Sequence, residues 1–153
     1  MSIRGDIFEA IAQRLETITA ANGYSTDVKK VYYDQIPMGL ELNEYQLPVI
    51  FFLDRADILT TRFPVVEGTW ELDLQLWHSG DEGDLTMGQF VADIFSAVYA
   101  NSPTAQVKDQ FRMHPAIVEI KPSSIATDLN MIEANRVFEV SFSVKYRTPI
   151  YNM

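Results

Sequence analysis

Apolar residues at Ile3, Ile7, Ile11, Leu15 and Ile18 fall at helical spacing, with Arg4, Glu9, Arg14 and Glu16 on the other faces. That pattern predicts an amphipathic helix over about residues 3–21. Asn22-Gly23 offers the left-handed residue that would end it. Residues 28–35 then suit a partly exposed strand, and 36–46 read as a loop marked by Pro37 and Gly39. Leu47 to Asp54 is almost wholly apolar and reads as a buried strand, with Pro48 near its start where a missing N–H is tolerated. Residues 55–64 read as a second connection, a long hairpin loop that carries strand ends.

The clearest strand spans 65–78. Trp70, Leu72, Leu74 and Leu76 alternate with Glu71, Asp73, Gln75 and Trp77. A period of two places the first set on one face and a largely acidic set on the other. Residues 79–84 read as a turn, with Asp84 as helix N-cap. Leu85, Phe90, Val91, Ile94, Phe95, Val98 and Tyr99 form the stripe of a second helix over 85–100, ended by Asn101-Ser102-Pro103. After a polar stretch to Pro115 comes a short strand, 117–121, broken by Pro122 and resumed through Ile125 to Met131. A long strand follows in which Phe138, Val140, Phe142, Val144 and Tyr146 alternate with polar residues, and 148–153 read as an extended C-terminal tail. The order α-β-β-β-α-β-β predicts an α+β fold: a mostly antiparallel sheet with two helices packed on it.

A length of 153 residues favours one domain, and 47% hydrophobic residues supply a core without disulfides or metals. Cysteine is absent, which removes disulfide frameworks, thiolate zinc sites and cysteine nucleophiles together. The formal net charge of −9 opposes binding to nucleic-acid phosphates by counterion release. The first residues lack the basic-then-apolar layout of a signal peptide, and no apolar run is long enough to predict a transmembrane helix.

Motifs for chemistry are missing. His78 and His114 stand alone, outside any metal-ligand spacing. Asp81, Glu82 and Asp84 resemble a fragment of a calcium loop but lack its full ligand set. There is no Gly-x-Ser-x-Gly elbow and no glycine-rich loop ending in Lys-Ser/Thr. No enzymatic activity, cofactor or metal is expected. The acidic face carrying Glu71 and Asp73 reads either as an ordinary solvent-facing side or as a surface turned toward a channel or partner. Trp77 ends that face as a large apolar residue among polar ones, which suits an interface.

The helix Ile3 to Ala21, the Asn22-Gly23-Tyr24 stop, the strand start at Val28 to Val31 and the Leu47-Pro48-Val49-Ile50 strand open a recognisable layout. The alternating strand Trp70 to Trp77, the second helix and the final strand complete it. Together they resemble the tail terminator (tail-completion) proteins of long-tailed bacteriophages, over nearly the whole chain. The resemblance implies a structural virion protein of the tail–neck region, assembled in the host cytoplasm. It implies a hexameric ring that caps the tail tube, offers the surface for head joining, and lets DNA pass through its lumen without specific binding. Its partners would be the tail-tube protein and a head-side connector protein, with no membrane involved. A negative lumen would repel phosphates and let the duplex slide. From strand alternation, Glu71 and Asp73 are the expected lumen-facing acids.

Ring closure needs two different matching patches on each subunit. The apolar residues in the two long connections, Met38, Leu40 and Leu42 and then Ile58, Leu59 and Phe63, are candidates for inter-subunit or tube contacts. Trp77, Ile150 and Tyr151 join them. The competing readings are another head–tail connector or tail-tube component, and a small ligand-binding α+β domain with a pocket between sheet and helices.

Overall fold

The computed structural model describes residues 2–33, 46–79, 83–99, 114–126 and 135–153. Its elements run α1 (Ile3–Glu16), a 3-10 turn (Ala20–Asn22), β1 (Lys30–Tyr32), β2 (Val49–Arg62), β3 (Val65–Ser79), α2 (Asp84–Val98), β4 (Ile117–Ala126), β5 (Asn135–Pro149) and a final 3-10 turn (Ile150–Asn152). The α+β class and the order α-β-β-β-α-β-β are as the sequence pattern predicts.

Ser2 opens α1 by accepting the Gly5 N–H on its Oγ at 3.1 Å, satisfying one of the free first-turn donors. The helix ends earlier than its apolar periodicity predicts. Thr17 turns its hydroxyl onto the Arg14 carbonyl at 2.6 Å and caps the helix there. Gly23, at φ 89°, closes the following 3-10 turn instead. Ile18 is still fully buried, because Val28 N–H donates to its carbonyl and holds the connection against the core. In α2 the cap is Gly83, and Asp84 is the first helical residue, its acid suiting the positive end of the helix dipole. The expected stop at 101–103 lies outside the described residues.

Among the described residues the sheet has five strands in the order β1-β2-β3-β5-β4. β1 pairs with β2 in parallel, and every other pair is antiparallel. Trp70, Leu72, Leu74 and Leu76 of β3 and Val140, Phe142, Val144 and Tyr146 of β5 face Ile7, Ile11 and Leu15 of α1 and Phe90, Ile94 and Val98 of α2 in one core. The opposite face has a small cluster of its own at the β1 side. There Leu47, Val49 and Phe51 are buried with Tyr32 and Trp77 packed on them.

Two strand boundaries correct the sequence reading. Residues 55–62 are not loop: β2 runs on to Arg62 and pairs with β3 to Arg62↔Val65, leaving only Phe63-Pro64 as the turn. A bulge between Asp54 and Ala56 explains why simple alternation is lost there. β4 continues through Pro122 to Ala126 with a register shift at Pro122/Ser124, which an edge strand tolerates. The C-terminal residues are not an extended tail. β5 reaches Pro149, and the Ile150 N–H then donates to the Pro64 carbonyl at 2.8 Å.

Candidate functional site

The β2–β3 hairpin and the paired end of β5 form an arm that runs on beyond the strand residues met by the first turn of α1. Three side chains lock the root of this arm to the helical layer. The Arg4 guanidinium lies 4.8 Å over the Trp70 ring, and its Nε sits 3.0 Å from Asp57 Oδ2. The Tyr146 hydroxyl donates to that same oxygen at 2.5 Å. Burial, and then Asp57, push the Tyr146 phenol well above the ordinary tyrosine range. The Tyr146 ring lies directly over Gly68, where a side chain of any size would strike it. The other carboxylate oxygen of Asp57 is buried and has no hydrogen-bond partner among the described residues.

Beyond this lock the arm is apolar and exposed. Ile58 is 66% exposed and Phe63 83% exposed, and Leu59 and Val65 are also open to solvent. Ile58 and Leu59 are neighbours on a strand and so point to opposite faces, which leaves both faces of the arm partly uncovered. Ile150 and Tyr151 are brought to the same end by the bond between Ile150 and Pro64 and are exposed as well. The structure therefore gathers Ile58, Leu59, Phe63, Ile150 and Tyr151, five of the expected contact residues, at one end of the sheet. Met38, Leu40 and Leu42 lie outside the described residues.

A shallow hollow of about 500 Å³ opens on the arm, lined by Thr60, Arg62, Val65, Glu67 and Arg147. Glu67 accepts from Arg147 Nε at 2.6 Å and lies 3.2 Å from Lys145 Nζ. The Arg147 hydrogen bond, followed by Lys145, holds the Glu67 carboxyl below its ordinary range. Sequence reasoning did not single out Arg62, Glu67 or Arg147. The polar half of the β5 alternation contained Arg147, but its meeting with Glu67 depends on strand order, which alternation does not reveal.

The acidic face of β3 divides. Glu71 is partly exposed opposite Ser143, but Asp73 is only 6% exposed and accepts the Ser141 hydroxyl at 2.5 Å. Asp73 is thus corrected from a lumen-facing acid to a buried cross-strand partner, since a carboxylate held inside the sheet presents no charge to a channel. Trp77, the expected contact residue on this face, is partly buried. It packs 5.0 Å from Phe51, and its Nε1 donates to Gln75 at 3.1 Å, so most of its surface serves its own sheet.

The two histidines take structural roles. His78 Nδ1 accepts the Ser79 N–H, and His114 Nδ1 accepts the Ala116 N–H. Among the described residues, no group of three or more His, Cys, Asp or Glu side chains is placed to hold a metal ion. No helix among them is long and apolar enough to cross a membrane. The cavity between sheet and helices, lined by Ile11, Leu72, Leu74, Val98, Ile120, Phe142 and Val144, measures about 10 Å³, no more than a single water occupies. The chain matches no family model and no curated protein.

Proposed function

We propose that this chain is a structural virion subunit of the tail-terminator kind. Copies close into a hexameric ring on the end of a phage tail tube, and the ring provides the surface that joins the head. The observation that carries the reading is the rigidly rooted arm whose end exposes Ile58, Leu59, Phe63, Val65, Ile150 and Tyr151 together. A monomer gains nothing from exposed apolar side chains gathered at one end of its sheet, whereas an assembling subunit buries them against a neighbour. The acidic balance fits a ring through which DNA slides, and Glu71 remains a candidate for the lumen surface.

The reading of a small ligand-binding domain is less well supported. Among the described residues, the cavity between sheet and helices measures about 10 Å³, far below the several hundred Å³ of a ligand pocket. Electron microscopy of isolated tail tubes incubated with the purified protein tests the proposal. Rings seated on one end of the tubes are the expected result. Tubes that stay bare while the protein remains dispersed contradict it.

A further inference from the structure

We propose that neighbouring copies join by their sheet edges, the outer edge of β2 in one copy pairing antiparallel with the outer edge of β4 in the next. This rests on the ring-forming reading above and names the main-chain contact that would close the ring.

The sheet leaves a different strand open at each side. β1 pairs with β2 only over Val49 to Phe51, and among the described residues no strand pairs with that side of β2 beyond Phe51. Every residue from Ile58 to Arg62 is exposed. β4 pairs with β5 on one side and forms the other edge, and every residue from Lys121 to Ile125 is exposed.

An edge strand presents a row of main-chain donors and acceptors that another strand can satisfy, and proteins guard against this with charge, proline or bulges. β4 carries such guards at Lys121, at Pro122 and at the register shift before Ser124, which leaves Ser123 to Ala126 as its open run. β2 has no charge and no proline from Ile58 to Thr61. That stretch of leucine and β-branched residues suits a strand with a neighbour on both sides.

Direction and face select these two edges as partners. The chain reverses at each step across β2, β3, β5 and β4, so β4 runs opposite to β2. Rotation about a ring axis keeps the inclination of every strand, so unlike edges meet, and they meet antiparallel. Leu59 is 52% exposed, and its ladder partner Gly68 pairs in turn with the core residue Tyr146, which places Leu59 on the helix-bearing face. Ile125 is 48% exposed and pairs with the core residue Val140, on that same face. Setting Leu59 beside Ile125 of the neighbour covers both, and it places Thr60 beside Ser124 on the opposite face. Through the ladders Ile125 lies level with Phe52 of its own copy, so this register offsets neighbours by about six residues, or ~20 Å along the strands. Strands inclined to the ring axis give the same offset at every joint.

The chain has no cysteine, so introduced cysteines report the contact directly. Thr60→Cys and Ser124→Cys are made as separate variants. Both positions are exposed, so both proteins should keep the wild-type fold, which circular dichroism checks. Oxidised alone, neither variant should cross-link. Mixed at low concentration, concentrated and then oxidised, the two should give a disulfide-linked dimer on a non-reducing gel. Hydrogen exchange gives a second reading that does not depend on side-chain geometry. Amides within 58–61 and 123–126 should exchange more slowly in wild-type rings than in the monomer at high dilution. Cross-linking of either variant by itself means that like edges meet and overturns the proposal. Rings whose two runs exchange as fast as in the monomer also overturn it while leaving the ring reading standing. A wild type that stays monomeric overturns both.

Discussion

Ser141 on β5 donates its hydroxyl to Asp73 on β3 at 2.5 Å, across a directly opposed pair in the sheet. Both side chains are buried on the face away from the helices. A hydrogen bond to a carboxylate is worth about 1.5–3 kcal/mol, and removing the donor leaves the acceptor short of a partner. Ser141→Ala should therefore lower the unfolding free energy by about 2 kcal/mol, measured by urea titration. Asp73→Lys should cost more, about 3 kcal/mol or beyond, since it buries an unpaired ammonium. An unchanged urea midpoint for Ser141→Ala would refute the pairing.

The approach of Tyr146 to Gly68 makes a second prediction. An added Cβ at Gly68 enters the Tyr146 ring, so Gly68→Ala must displace the tyrosine and weaken its bond to Asp57. The expected loss is about 1–3 kcal/mol. Gly88, in the middle of α2, is the control. Nothing lies within 4 Å of a Cβ built there, and Ala at that helical position should stabilise by about 0.5–1 kcal/mol. Thermal unfolding of the two variants should shift in opposite directions. A shift of the same sign in both would contradict the packing described.

Alkaline pH probes the buried phenols. Tyr99 donates to the Ile120 carbonyl at 2.8 Å, and burial, followed by Glu119, pushes its phenol from 10.0 up to about 12. Tyr146 is raised in the same direction. A group raised on folding gives its full contribution below its unfolded pKa, and that contribution is lost as pH rises through the folded value. Stability should hold up to about pH 10 and fall from there toward about pH 12. In Tyr99→Phe the fall should be shallower, from a lower starting stability because the bond to Ile120 is gone. Chemical denaturation across the alkaline range measures both slopes, and identical slopes would rule out Tyr99 as a contributor.

Much of the fold was legible because β3 and β5 alternate strictly where one face packs on helices. Trp70 to Leu76 and Phe138 to Tyr146 identified their buried face without ambiguity. Alternation assigns a residue to a face but does not say whether that face is covered. Alternation alone therefore puts Asp73 on an open face, although the back of the sheet also buries side chains. Residues 55–62 read as loop in sequence because the bulge at Asp54/Ala56 breaks the period and the arm beyond it has no core to impose one. At the candidate site, the apolar residues Ile58, Leu59 and Phe63 stand out in sequence, and all three are exposed. The charged hollow did not stand out, because Arg62, Glu67 and Arg147 come from three strands that only the sheet order brings together.

Under the ring reading, Glu71→Lys separates fold from passage. Glu71 lies partly exposed opposite Ser143, so the substitution should leave the monomer folded, with a cost of about 1 kcal/mol or less. A positive lumen should then hold DNA phosphates that the wild type repels. Rings of the variant should retain duplex in a low-salt shift assay in which wild-type rings retain none. Equal retention by both would remove Glu71 from the lumen.

Most directly, the central claim is tested by the mass of the wild-type protein in solution, read by native mass spectrometry or sedimentation over a range of concentrations. A ring-forming subunit should give one closed species at the hexamer mass, at the expense of monomer as concentration rises. A monomer that persists at the highest concentration, or a ladder of open oligomers that never closes, would contradict it.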